Sequence, residues 1–123
     1  MELATAADAA RLLRTAVAGQ AEERLAIAYL DQDRRLLHVE VTVGGAASAP
    51  VDTRGLAQDA LRLGAAGLIM AHNHPGGDPR PSAEDVLATR LVSELAQALG
   101  LKLHDHLIFA GDQCHSMRAS GLL

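Results

Sequence analysis

The stretch from Gly67 to Asp85 constrains this chain more than any other. Gly67 to Ala71 is continuously apolar and runs straight into His72-Asn73-His74. A loop carrying Pro75, Gly76, Gly77, Pro79 and Pro81 follows, and Ser82 opens an amphipathic segment. A short, wholly apolar run reads as a strand covered on both faces. The Pro and Gly residues force a turn, and Ser82-x-x-Asp85 has the form of a helix capping box with Asp in place of the usual Glu. A strand, a loop and a helix in this order put polar residues at the C-terminal end of a central strand. Sites tend to form there in open α/β sheets.

The flanking segments supply the other elements. Thr5-x-x-Asp8 starts a helix whose apolar positions Ala6, Ala9, Ala10, Leu13, Ala16 and Val17 recur at helical spacing before Gly19. Leu25 to Leu30 reads as a second fully covered strand, and Asp31 to Arg34 as a turn. Leu37, Val39, Val41 and Val43 then alternate with His38, Glu40 and Thr42, the pattern of a half-buried strand paired to its predecessor. Gly44-Gly45 breaks that pattern, and Ala46 to Val51 is expected to add a short edge strand. Asp52 or Thr53 caps a helix through Leu56, Ala60 and Leu63, closed by Gly64. In the helix after Ser82, Leu87, Leu91, Leu95 and Leu99 form the expected buried stripe, ended by Gly100. Leu101 to Ala110 is a long strand, with Gln113 to Met117 as its short partner. Helices interspersed with strands in this order predict an α/β fold, a three-layer α-β-α domain around a mixed sheet.

Composition narrows the function classes. A chain of 123 residues can bury a core without disulfides or a structural metal. With Tyr29 and Phe109 as its only aromatics, that core must be aliphatic. The formal charge of −4 gives no electrostatic footprint for duplex DNA or RNA. The single Cys114 excludes an internal disulfide and every multi-cysteine zinc motif, and reads as a small core residue. Glu2 and Asp8 stand where a basic leader would be, and no apolar run reaches membrane-spanning length, so a soluble cytoplasmic protein is expected.

The chemistry lies in the loop. His72 and His74 are two residues apart, so both imidazoles can reach one ion from the end of a strand. Asp85 follows in the first turn of the helix. Two His nitrogens and one carboxylate oxygen suit Zn2+ and leave a fourth tetrahedral position for a water whose pKa the ion lowers to about 7. Ser82 can donate to a developing oxyanion. A base must come from elsewhere, with Glu22 and Glu23 before the first strand and Glu40 on the second as sources. Each feature has a plainer reading: Ser82 and Asp85 as a cap, the His pair as surface residues. Only their combination points to a metal. In the second His cluster, His104 and His106 are expected to share one strand face, and Asp105, on the other, to take a hydrogen-bonding structural role.

His72-x-His74, seven residues, Ser82, two residues and Asp85 reproduce the spacing of the JAMM (MPN-plus) metalloenzyme motif. The run His72-Asn73-His74-Pro75, with Gly77-Asp78-Pro79 and Pro81-Ser82, more narrowly resembles the RadC-like JAB domain. The likeness continues through Leu25 to Asp31, Asp105 to Ile108 and the closing Gly121-Leu122-Leu123. It implies a cytidine deaminase-like (JAB/MPN) architecture and a Zn2+ held by His72, His74 and Asp85. It also implies Ser82 as stabiliser of the tetrahedral intermediate and a catalytic Glu that maps to Glu23, with Glu22 as the neighbour a shifted register would choose. The activity implied is hydrolysis of a peptide or isopeptide bond, on a peptide, protein or ubiquitin-like conjugate. Two departures stand out. Gly76 replaces the Ser usual in RadC-like sequences, and residues 1–123 read as a single JAB/MPN domain without the upstream helix-hairpin-helix region of larger members. The family's association with DNA repair therefore transfers poorly.

Other functions have weaker support. A metal-dependent nuclease or DNA-associated enzyme meets the negative charge, and HNH nucleases spread their three residues over a ββα unit. Zinc deaminases need a cysteine pair that one Cys cannot supply. A non-catalytic, zinc-stabilised interaction domain needs no base, whereas this chain offers several. Cys114-His115 has no orienting carboxylate to make it a thiol nucleophile.

Overall fold

The computed structural model describes residues 1–43 and 51–123, so the edge strand expected over 46–51 falls almost wholly outside the described residues. The elements run α1 (Ala6–Val17), β1 (Arg24–Leu30), β2 (Leu36–Val43), α2 (Thr53–Leu63), β3 (Gly67–Asn73), α3 (Ala83–Ala98), β4 (Lys102–Ala110) and β5 (Gln113–Ser116). The strands form one mixed sheet in the order β2-β1-β3-β4-β5. β1 runs antiparallel to β2 and β3, β3 is parallel to β4, and β5 returns antiparallel on β4. The parallel step requires a crossover, and α3 supplies it.

The sheet is covered on both faces. Ala9, Leu13 and Val17 of α1 pack on Ala26, Ala28, Ile69, Leu107 and Phe109. On the other face, Leu56 and Ala60 of α2 and Val92 and Ala96 of α3 pack on Ile27, Tyr29, Leu68 and Met70. The three-layer α-β-α expectation holds, and the period-two alternation explains how: odd positions of β3 face α1, even positions face α2 and α3. His72 follows Leu68 and Met70 towards α3. Among the described residues, no helix is long and apolar enough to cross a membrane.

Local signals set the element ends. Thr5 and Asp8 form a reciprocal capping box, as do Ser82 and Asp85. Asp52 is the cap of α2, and Gly64 closes it in the left-handed conformation. Three packing expectations need correction. In α3 the inward face is Asp85, Thr89, Val92 and Ala96, while Leu87 and Leu91 are 64% and 50% exposed. The leucine stripe misled because the N-terminal half of the inward face is polar. In β2, the alternation does not translate into burial: Leu37, Val41 and Val43 are exposed, and Leu36 and Val39 only border the core. β2 is an edge strand, and helix α1 covers only its beginning. Cys114 is exposed on β5 rather than buried.

The second His cluster is reorganised by one bulge. Leu68 pairs with Leu103 but Ile69 pairs with Asp105, so His104 is the extra residue and every later side chain changes face. Gly67 leaves room for the His104 ring, which a Cβ there would strike. His104 meets Arg34 (Nη1···Nδ1 3.0 Å), whereas His106 turns to the α3 face beside Thr89 and His72. The two histidines thus do not share a face. Asp105 has the structural role expected of it: its carboxylate accepts from the His106 N–H (2.7 Å), the Arg118 N–H (3.0 Å) and the Ser116 hydroxyl (2.6 Å).

The buried face of α1 and the exposed face of α3 yield a paired test. Leu13→Ala, which empties a fully buried site, should lower the unfolding free energy by about 3 kcal/mol. Leu91→Ala should change it by less than about 0.5 kcal/mol. Urea denaturation measures both, and comparable losses would return Leu91 to the core.

Candidate metal centre

The end of β3 brings the site together. His72 is the sixth residue of the strand, and His74 lies one residue beyond its end, held in line by its N–H to Phe109 O (2.8 Å). Their Nε2 atoms approach to 2.8 Å. Asp85, presented by the first turn of α3, closes on the same atoms, with Oδ1 3.2 Å from His72 Nε2 and Oδ2 3.1 Å from His74 Nε2. All three are buried or half-buried.

Each group is held from behind. His74 Nδ1 lies 2.7 Å from Asp78 O, an atom that can only accept, so the ring proton is on Nδ1 and Nε2 carries a lone pair. Asp78 is itself braced by Arg80 through its backbone N–H and its guanidinium, which hold the Asp78 carboxyl down to about 2. The Pro/Gly loop therefore returns a carbonyl to His74 as well as spanning to α3. Asp85 Oδ2 accepts from the Ser82 N–H (2.8 Å), and Ser82 Oγ accepts from the Asp85 N–H (3.0 Å). Burial opposes ionisation of Asp85, and the hydrogen bond that its carboxylate accepts from the Ser82 N–H favours it. Asp85 is an anion.

Glu23 completes the cluster from β1's side. Its carboxylate and the ring nitrogens of His72 and His74 offer ligand atoms that all lie within 4.8 Å of one another, a group able to hold a metal ion. Glu22 is exposed, and Glu40 is bonded to His38 on β2 (2.8 Å). Of the three carboxylates the sequence offered, the fold delivers Glu23.

This donor set fits a cation. Two imidazole lone pairs and a carboxylate converge at 2.8–3.2 Å, close to the roughly 3.3 Å edge of a tetrahedron of ligands about 2.0 Å from a zinc-sized ion. Acceptors packed this closely repel unless a positive charge lies among them.

Two contributors escaped the sequence reading. Asn73 points to the opposite side of β3 from its histidine neighbours. Its Oδ1 accepts from the Arg24 N–H (2.6 Å), and its Nδ2 donates to Glu22 O (2.9 Å) and Gln20 O (3.3 Å). It thus grips the backbone on both sides of Glu23. A buried amide between two ligand-type histidines was the available signal. The other is His106, whose Nε2 lies 2.6 Å from His72 Nδ1. Burial first, then the neighbouring imidazoles, lower its pKa to about 3 and keep it neutral. The bulge at His104 hid this contact.

The RadC-like JAB domain family matches residues 3–122. A UPF0758 protein of Rhodobacter capsulatus is 41% identical over 110 residues, covering 89% of this chain and 51% of the relative. A UPF0758 protein of Bordetella avium is 41% identical over 114 residues, covering 92% and 51%, and one of Carboxydothermus hydrogenoformans is 35% identical over 116 residues, covering 94% and 51%. The fold and the residue cluster define an α/β domain with a candidate metal centre. The chain belongs to the RadC-like JAB domain family. It spans about half the length of the curated relatives it matches.

Asn73→Ala should cost about 1–3 kcal/mol of stability in urea denaturation, because it removes three part-buried hydrogen bonds that the side chain makes to the backbone of Gln20, Glu22 and Arg24. A loss below about 0.5 kcal/mol would mean that the 20–24 segment is held by other contacts.

Proposed function

We propose that this chain is a zinc-dependent metallohydrolase domain of JAMM type that cleaves an amide bond, peptide or isopeptide. The observation that carries the reading is the convergence of His72 Nε2, His74 Nε2 and the Asp85 carboxylate within 3.2 Å, with the Glu23 carboxylate beside the two imidazoles. His72, His74 and Asp85 hold the ion. The family's JAB fold supports a metallohydrolase in general terms; the choice of zinc rests on the donor set, and the amide bond on the resemblance of the His72-to-Asp85 spacing to the JAMM motif.

Zinc bound there supplies Lewis acidity, polarising a substrate carbonyl and making water acidic enough to attack near neutral pH. The remaining work falls to side chains. Glu23 accepts the proton of the attacking water and delivers it to the leaving amine. Ser82 Oγ already accepts from the Asp85 N–H, which leaves its own proton free to donate to the oxyanion of the tetrahedral intermediate. Asp85 has the closer contact with both imidazoles, which supports it as ligand and Glu23 as base. The substrate class is a peptide, a protein or a ubiquitin-like conjugate, and the exposed thiol of Cys114 suits a reducing, cytoplasmic setting.

Metal analysis of the purified chain should find about one zinc per chain, and chelation should lower the melting temperature. Zinc-free protein with a melting temperature indifferent to chelator would end the metal reading. Glu23→Gln should keep the zinc and lose about 10²- to 10⁴-fold in hydrolysis of a peptide or ubiquitin-like fusion. Activity retained in that variant would remove Glu23 as the base.

A further inference from the structure

Behind His72, on the side away from the converging ligands, a line of three hydrogen bonds runs into the core. His72 Nδ1 lies 2.6 Å from His106 Nε2, His106 Nδ1 lies 2.6 Å from Thr89 Oγ1, and Thr89 Oγ1 lies 2.6 Å from the backbone oxygen of Asp85. His72 is 7% exposed, His106 2% and Thr89 1%, so the line is closed to water. We infer that Thr89 and His106 are positioning residues that set the tautomer of His72 and so aim its Nε2 lone pair at the metal position. The inference rests on the proposed role of His72 as a ligand.

The direction of each bond follows by elimination. A backbone carbonyl can only accept, so at 2.6 Å the Thr89 hydroxyl must spend its single proton on Asp85 O. Were that proton turned to His106, two oxygens with only lone pairs between them would face each other at 2.6 Å. The other hydrogen-bonding partner of this hydroxyl among the described residues, Met117 Sδ at 3.5 Å, is a weak acceptor and cannot compete. Thr89 Oγ1 is therefore the acceptor towards His106, whose Nδ1 must carry the ring proton. A neutral imidazole has one proton, so His106 Nε2 is bare and accepts. His72 Nδ1 is then the donor, and its Nε2 is left with a lone pair facing His74 and Asp85.

His72 differs in this from His74. The partner of His74 is the Asp78 carbonyl, which has no choice of role. The partner of His72 is another histidine, able to donate or accept, and it specifies a tautomer only if something specifies its own. Thr89 does so, by virtue of its place one helical turn after Asp85. The helix that contributes the carboxylate ligand thereby also orients the imidazole opposite it. Partners of this kind alter metal affinity about 10- to 100-fold when removed.

The test compares the full chain with Thr89→Val, Thr89→Ser, His106→Leu and His106→Gln. Heteronuclear NMR of the imidazole nitrogens, on metal-free protein across an alkaline pH series, should show His72 protonated on Nδ1 in the parent chain. Thr89→Ser, which keeps the hydroxyl, should preserve that signature, and Thr89→Val should mix the His72 and His106 tautomers. Zinc affinity, measured by competition with a chromophoric chelator, should fall about 10-fold in Thr89→Val and about 10- to 100-fold in His106→Leu. His106→Gln, whose amide oxygen can accept from His72, should recover most of the loss. A parent chain that keeps the Nδ1–H tautomer but takes up no zinc would support the relay while removing the metal reading. Thr89→Val with the parent tautomer and the parent zinc affinity, in a protein that still melts cooperatively, overturns the inference.

Discussion

The centre depends on how β3 ends. Strand alternation sends His72 to one side of the sheet and Asn73 to the other, and both side chains are buried where they land. His72 meets Asp85 at the start of α3, while Asn73 binds the backbone on both sides of Glu23. Two consecutive residues thus tie the helix that follows the strand and the segment that precedes β1 to one point. A one-residue slip in β3 would exchange their faces and separate every group of the site.

The apparatus around the imidazoles is larger than the ligand set. A loop carbonyl at Asp78 orients His74, and Thr89 and His106 orient His72. The loop between the strand and the helix therefore has a conformation to keep as well as a distance to span. The Asp78–Arg80 pairing, exposed to solvent, serves that conformation rather than stability in its own right. Polar groups at Asp85 and Thr89 replace leucines on the inward face of α3 for the same reason.

Much of the fold was legible because its signals are local. Capping residues at Thr5, Asp52 and Ser82, the turn glycine at Gly64, and uninterrupted apolar runs in β1 and β3 each act through neighbours a few residues away. The errors fall where partners are distant. Leu87 and Leu91 have helical spacing suited to burial, but which face of α3 meets the sheet was decided by Asp85 reaching His72 and His74. The alternation in β2 counts for little because nothing described covers the outer half of that edge strand. His106 leaves the face expected to be shared with His104 because a bulge at His104 is a property of the β3–β4 pairing, not of β4 alone.

The sequence by itself determined the chemistry on offer: two imidazoles one residue apart, a serine and an aspartate at the start of a helix, and a glutamate ahead of the first strand. Those types and spacings are covalent facts, and they also carry the family likeness. Only the tertiary structure decided which of Glu22, Glu23 and Glu40 would reach the imidazoles, and which buried groups would orient them. Glu23 arrives because antiparallel pairing of β1 with β3 sets Leu25 against His72, and Asn73 grips the peptide between. His106 arrives because one unpaired residue in β4 turns it over. Both depend on register between segments far apart in the chain, which no local pattern encodes.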